Sequence, residues 1–254
     1  MSVAERVSVI PAVRAKARSA AHTRHLVGRG VLYLVALIVA AFFTFPFLWT
    51  IGSSLKTSVE IRTFPPTFFP VTPHFENYAS VFQVAPFGQF LLNSIKVVVL
   101  AVTGQTLSAT LVAYGFARFR FPFRGQLFAL VLASLLLPVE ITWIPLFLLY
   151  KQLGWLDTLR PLIVPSFFGG GAFFIFLLRQ FFLTLPKDLD EAAKIDGANS
   201  LQILFRILIP LSKPALATAA IFSFLGHWND FQTPLIFLNN AKNFTIRREG
   251  TPPQ

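Results

Sequence analysis

The residues of this chain that could do chemistry occur in two settings. One is a carboxylate isolated inside an apolar stretch. Glu140 is the single ionisable residue between Gly125 and Tyr150, and Asp230 follows Trp228 and Asn229 in a stretch otherwise free of Lys, Arg, Asp and Glu. A charge at such a position is costly in hydrocarbon, so it marks a functional site by default. An indole beside an amide and a carboxylate suits hydrogen-bonded recognition of a polyhydroxylated solute. The other setting is an acidic cluster, Asp188, Asp190, Glu191 and Asp196, in a polar segment. Catalytic chemistry finds little support. There is no Cys, hence no thiolate nucleophile or disulfide. His22, His25, His74 and His227 are scattered, so no metal site is expected. No Gly-x-x-x-x-Gly-Lys-Ser/Thr phosphate loop is present, so ATP would have to be hydrolysed by another chain.

Each conspicuous residue also has a plain structural reading. Glu140 follows Pro138 by two positions and can satisfy backbone groups freed by it, or lie near a membrane rim. Trp228, Asn229 and Asp230 can make inter-helix polar bonds. Asn93 and Ser94, near the end of an apolar stretch, are weaker pathway candidates. Glu191 can serve as a helix-cap partner, and Gly169 to Gly171 permit close helix packing. These alternatives stay open on the sequence alone.

The elements that must position these residues follow from composition. Of 254 residues, 54% are hydrophobic and 13% charged, and the mean hydropathy is +0.64. A soluble domain carries about 25% charged residues. A helix needs about 20 apolar residues to cross the hydrocarbon core, and five stretches qualify: about 30–55, 90–117, 125–150, 161–183 and 214–238. The expected fold class is therefore an all-α polytopic transmembrane bundle. The first stretch is too long for a cleavable signal peptide. Pro and Gly inside the spans are common in membrane helices, where neighbours re-satisfy the backbone.

The net charge of +11 is largely a topology signal. Six basic residues lie in the tail 1–29, three between Arg118 and Arg124, and five between Arg179 and Lys213. The alternate loops hold only Lys56, Arg62, Lys151 and Arg160. Fourteen against four places the N-terminus in the cytoplasm and removes the nucleic-acid reading. The loop from Lys56 to Phe87 is then external, and its five prolines predict an ordered, turn-rich lid.

The segment 186–213 is the longest internal cytoplasmic one. Asp188 and Glu191 have capping-box spacing, with Leu189, Ala192, Ala193 and Ile195 as an apolar face. Gly197 is placed to end that helix in the left-handed conformation. Asn199 or Ser200 can cap a second helix, whose apolar residues Leu201, Leu204, Phe205 and Leu208 recur at helical spacing. Pro210 and Pro214 mark its end. The product is a helix–turn–helix on which Ala192 and Ala193 let a partner backbone approach.

This segment resembles the EAA loop of permease subunits of bacterial ATP-binding-cassette (ABC) importers. That pattern reads Glu-Ala-Ala, three residues, Gly, nine residues, Ile, one residue, Leu-Pro. Glu191, Ala192, Ala193, Gly197, Ile207 and Pro210 fit it, while Ile209 replaces Leu. Phe75 to Tyr78, Asn93-Ser94, Ala113 to Pro122, Ile144 to Leu146 and Ser223 to Asp230 are similar to the carbohydrate-uptake branch. The resemblance spans about residues 30–246.

The resemblance implies a non-catalytic transport subunit of the bacterial plasma membrane, most simply for a sugar, with a polyol or glycerol phosphate as the alternative solute. Its implied partners are a cytoplasmic ABC ATPase dimer, a second permease that is a different chain, an external solute-binding protein and the lipid bilayer, with no nucleic acid. It binds no cofactor; ATP is used by the ATPase. Docking and coupling fall to Glu191, Ala192, Ala193, Asp196, Gly197, Ile207 and Pro210. Candidate pathway residues are Asn93, Glu140, Trp228, Asn229 and Asp230. A polytopic membrane enzyme is the rival class, but it should cluster acidic or His residues at a membrane face. The family continues into a sixth span, whereas 247–254 is a polar, Pro-rich tail. The expectation is that the final helix is missing here through a frameshift, early stop or truncated gene.

Overall fold

The computed structural model describes residues 3–247, with side chains placed for 28–83 and 85–247. The side chains of the basic tail before residue 28, and the polar tail from 248 onward, lie outside the described residues. The chain divides into two compact units, Met1–Val84 and Ala85–Gln254, and among the described residues every regular element is helical.

The first unit contains α1 (Val3–Ser54), α2 (Ser58–Ile61) and α3 (Glu76–Val84). Residues 28–54 of α1 are long and apolar enough to span a membrane, yet no residue of their most apolar 18-residue window is buried within the unit. Phe42 is 75% exposed and Phe47 70%, a surface that needs hydrocarbon or another helix around it. The expected ordered lid is present. The buried Lys56 donates its ammonium to the Thr67 carbonyl and lies 5.3 Å over the Trp49 ring. Asn77 Nδ2 donates to the carbonyls of Ser54 and Lys56, 3.0 Å each. The Tyr78 hydroxyl lies 2.7 Å from Ser54 Oγ. The Phe75–Tyr78 stretch therefore fastens the lid to the end of α1.

The second unit contains α4 (Phe87–Arg118), α5 (Arg124–Ala133), α6 (Glu140–Gln152), α7 (Arg160–Ile163), α8 (Ala172–Thr184), α9 (Asp188–Ile195), α10 (Ser200–Ile203), α11 (Ile209–Leu211), α12 (Lys213–Asn229) and α13 (Gln232–Phe237). Its axis is α4, packed against α8 and α12. Ala101, Gly104, Ser108, Ala109, Ala113 and Ala117 form a buried small-residue stripe on α4, which brings backbones close together. A Cβ on Gly104 would lie 2.5 Å from the Phe167 ring, and one on Gly170 2.3 Å from the Ala109 nitrogen.

Three of the expected continuous spans are interrupted. Stretch 125–150 is a bent pair, Arg124–Leu136 and Glu140–Gln152, turned by 100°. Pro138 has no N–H to continue the ladder and forces Leu137 into extended backbone (φ −80°, ψ 122°). Stretch 161–183 unwinds at Gly169, Gly170 and Gly171, with φ of +88°, +61° and +76°, a conformation glycine adopts without strain. The last stretch reaches only Asn229, short of the expected 238. Asp230 is extended there, and its Oδ1 accepts from Thr233 N at 3.0 Å, starting α13 afresh. The helix before it is also turned by 83° from the segment Ser200–Leu211.

Candidate functional site

The segment 186–213 folds as a helix–turn–helix. Helix α9 enters through Lys187, whose carbonyl accepts from Asp190 N and Glu191 N. The expected Asp188 cap is therefore corrected. Asp188 is already helical and Lys187 holds the cap position without a side-chain bond. Asp188, Asp190 and Glu191 instead fill the first turn, where carboxylates oppose the positive end of the helix dipole.

Gly197 ends α9 at φ +81°. Ala198 N donates to Ala193 O at 2.9 Å and Gly197 N to Lys194 O at 3.0 Å, the paired closure of a Schellman turn. Asn199 then caps α10 reciprocally. Its Oδ1 accepts from Gln202 N at 2.9 Å, and Gln202 Oε1 accepts from Asn199 N at 2.8 Å.

The second helix is not uniform. After α10 a π-helical turn covers Leu204–Leu208, and Ile209 N donates to Leu204 O. Pro210 has no N–H to donate to the Arg206 carbonyl and its ring would crowd that group, so a wider turn accommodates the chain. The widening also alters the predicted apolar face. Ile203, Leu204 and Leu208 are fully buried, whereas Leu201 and Phe205 are 60% and 50% exposed.

The buried residues of this segment continue the core of the spans. Ala193, Ile203, Leu204 and Leu208 pack in one cluster with Ala113, Tyr114 and Ala117 of α4, Leu178 and Phe182 of α8, and Ala215 and Ala219 of α12. A buried ion pair adds to this. Arg118 Nε lies 3.2 Å from Asp190 Oδ2, with side chains 4% and 12% exposed. Arg118 also donates to the Leu185 carbonyl at 3.1 Å, and the Tyr114 hydroxyl to the Ser200 carbonyl at 3.0 Å. Sequence reading missed this pair, because no local pattern links the end of one span to a distant acidic cluster.

The pattern residues thus divide into two sets. Ala193 is buried and Ile207 packs against the same core, so both anchor the loop internally. Glu191, Ala192, Asp196, Gly197 and Pro210 are exposed. Ile195, expected on the buried face, is 87% exposed. The outward face of α9 therefore pairs carboxylates with a bare aliphatic residue.

The five candidate pathway residues are not gathered at one point. Asn93 Nδ2 donates to the carbonyls of Lys242 and Phe244 at 2.8 and 3.1 Å, so both its amide hydrogens hold main chain. Ser94 Oγ accepts from Ile246 N at 3.0 Å. Asp157 Oδ1 accepts from Asn239 N and Asn240 N at 3.1 and 2.7 Å, securing the same stretch. Glu140 is exposed at the first residue of α6, beside the Pro138 break. The Trp228 ring stacks on Phe224 with centroids 5.6 Å apart. Asn229 Nδ2 donates to the Leu225 carbonyl at 2.9 Å. Trp228, Asp230 and Ser94 share a narrow crevice.

Residues 105–249 match the family described as "Binding-protein-dependent transport system inner membrane component". The chain is 37% identical over 222 residues to the diacetylchitobiose uptake system permease protein NgcG of Streptomyces coelicolor, covering 87% of this chain and 70% of that protein. It is 32% identical over 219 residues to the sulfoquinovosyl glycerol transport system permease protein SmoH of Agrobacterium fabrum, covering 86% and 77%. A crystal structure of a bacterial ABC transporter involved in the import of the acidic polysaccharide alginate aligns with TM-score 0.74 and 28% identity, over 84% of this chain and 75% of that one. With its apolar helices and its rigidly mounted 186–213 loop, the chain belongs to the binding-protein-dependent transport system inner membrane component family, as a non-catalytic permease subunit of an ABC importer.

Proposed function

We propose that this chain forms, with a second and different permease chain, the membrane pathway of a saccharide importer driven by a cytoplasmic ATPase dimer. An external binding protein delivers the solute, the ATPase binds the ATP, and this chain holds no cofactor of its own. The N-terminus and the 186–213 loop face the cytoplasm, in keeping with the fourteen-to-four division of basic residues. The saccharide class rests on the similar transporters just described, whose names all refer to carbohydrates.

The observation that carries the coupling reading is the mounting of α9. Its inner face is locked by Ala193 and by the Arg118–Asp190 pair, while Glu191, Ala192 and Ile195 stand free on the outer face. A helix held in this way can transmit displacement of a docked ATPase to α4, α8 and α12 as a rigid lever. Docking contacts fall to Glu191, Ala192, Asp196 and the Gly197 turn; Ile207 and Pro210 set the geometry behind them. For the pathway, Trp228, Asn229 and Asp230 are carried forward with Glu140, while Asn93 has its amide committed to main chain.

The experiment is reconstitution of the four-component importer in proteoliposomes. Glu191→Lys should leave membrane insertion intact while uptake falls and the ATPase dissociates or hydrolyses ATP without transport. Normal uptake by Glu191→Lys, together with normal ATPase association, would remove the loop from the coupling role.

A further inference from the structure

We propose that an open pocket lined by residues of α4, α6, α8, α12 and α13 is a subsite for one uncharged pyranose unit of the transported solute. The proposal rests on the saccharide-importer reading above and adds where in this subunit the sugar is held, and by which groups.

The cavity has a volume of about 350 Å³, within the range of small-molecule sites. Its position is marked by backbone interruptions. Val139 beside the Pro138 break, Phe174 just past the three-glycine break, and Asp230 and Thr233 at the α12–α13 break all line it. Non-helical backbone at membrane depth persists only where protein buries it or where it borders a water-filled space. Three such breaks meeting at one cavity indicate a polar passage rather than a packing flaw.

The cavity wall carries a polar group with unused capacity. Gln105 stands in the middle of α4, about 27 Å along the helix from Phe87 at 1.5 Å per residue. Its Oε1 accepts from Ser223 Oγ of α12 at 2.5 Å and lies 3.2 Å from His227 Nε2. Ser223 is 2% exposed, so the triad is built into the helix contact. With Oε1 accepting from both, the two hydrogens on Gln105 Nε2 and the Nδ1 lone pair of His227 remain for a ligand. A donor pair beside an acceptor matches vicinal hydroxyls. Trp143 adds an indole and Thr233 a hydroxyl to the wall. A pyranose, with apolar C–H faces and a hydroxyl rim, is complementary to that combination.

Charge then separates neutral from acidic sugars. Among the described residues, Asp230 is the only Asp or Glu on the wall, and no Lys or Arg lines it. A uronate or sulfonate would meet a carboxylate at low dielectric with no compensating cation. The geometry thus points to a neutral sugar unit at this place.

The test measures uptake of radiolabelled lactose, cellobiose, N,N′-diacetylchitobiose and digalacturonate by the complete importer in proteoliposomes. Gln105→Ala and Ser223→Ala should each raise the apparent KM for the imported neutral sugar about tenfold, the loss of one or two buried hydrogen bonds. Gln105→Asn, which keeps the amide, should recover part of the loss. Trp143→Leu, on a different helix, should raise KM even if the Gln105 variants fail to assemble. Wild-type KM in assembled Gln105→Ala and Trp143→Leu importers would overturn the subsite while leaving the importer reading intact. Selective import of digalacturonate would also overturn the subsite. Import of no saccharide by the wild-type complex would overturn both.

Discussion

Arg118, the last residue of α4, reaches Asp190 in the first turn of α9, with Nε and Oδ2 3.2 Å apart and both side chains buried. The contact joins the end of a 32-residue span to the loop that the coupling reading makes the receiver of ATPase motion. It is incompletely satisfied, because the 3.2 Å approach is an ion contact without hydrogen-bond geometry, and Arg118 Nε, Arg118 Nη1 and Asp190 Oδ1 have no hydrogen-bond partner. Such a pair fixes orientation more than it adds net stability, since desolvating two charges offsets much of their attraction.

Removing one partner should therefore be worse than removing both. Asp190→Asn or Arg118→Gln leaves a buried charge uncompensated and should cost roughly 3–5 kcal/mol. The double replacement Arg118→Met with Asp190→Leu should recover part of this. Thermal unfolding of the detergent-solubilised subunit gives the comparison. If the double variant is as unstable as the sum of the singles, the two residues do not act as a pair.

The glycines separate two kinds of constraint. At Gly197 (φ +81°) a Cβ would meet nothing within 4 Å, so the constraint is backbone conformation alone. Gly197→Val should cost about 1–2 kcal/mol or more, distort the turn after α9 and uncouple ATP hydrolysis from uptake, with insertion preserved. Gly197→Asn should be milder, because Asn tolerates the left-handed region. At Gly170 a Cβ would sit 2.3 Å from the Ala109 nitrogen. Gly170→Ala should therefore damage α4–α8 packing itself. Limited proteolysis of membranes should show wild-type protection for the Gly197 variants and lost protection for Gly170→Ala.

Orientation is tested independently. Reporter fusions at Ala20, Phe121 and Ile195 should report cytoplasm, and fusions at Pro70 and Leu156 the external side. An external signal at Ile195 would reverse the topology and with it the docking proposal.

The readable and unreadable parts of this sequence differ in range. Gly197 and Asn199 announced their roles because a left-handed C-cap and a capping box are set within a few residues. The long apolar stretches announced spans by length alone. Pro138 and the three glycines were visible as letters, yet hydropathy averages over 18 or more residues and cannot show a 100° turn. Asp188 was misread because its spacing to Glu191 satisfies the capping pattern whichever residue starts the helix. The Arg118–Asp190 pair and the Gln105–Ser223–His227 cluster depend on which helix faces touch. No sequence period encodes that.

The outer face of α9 allows the sharpest separation of docking from folding. Ala192 and Ala193 are neighbours of identical type, but Ala192 is exposed and Ala193 is 6% exposed within the core cluster. Enlarging Ala193 to Leu overpacks a filled site and should destabilise the subunit by about 1–3 kcal/mol. Enlarging Ala192 to Leu meets only solvent in the isolated subunit and should leave its unfolding temperature unchanged. Ile195, 87% exposed, completes the comparison. An aliphatic side chain held in water on a rigid helix gains only when a partner covers it. Ile195→Ser should therefore leave stability near wild type yet weaken ATPase association several-fold, as Ala192→Leu should by steric obstruction. Pull-down of the ATPase by solubilised permease, run beside thermal unfolding, reads both properties. Equal ATPase capture by wild type, Ala192→Leu and Ile195→Ser would mean that the partner contacts a different face of the loop.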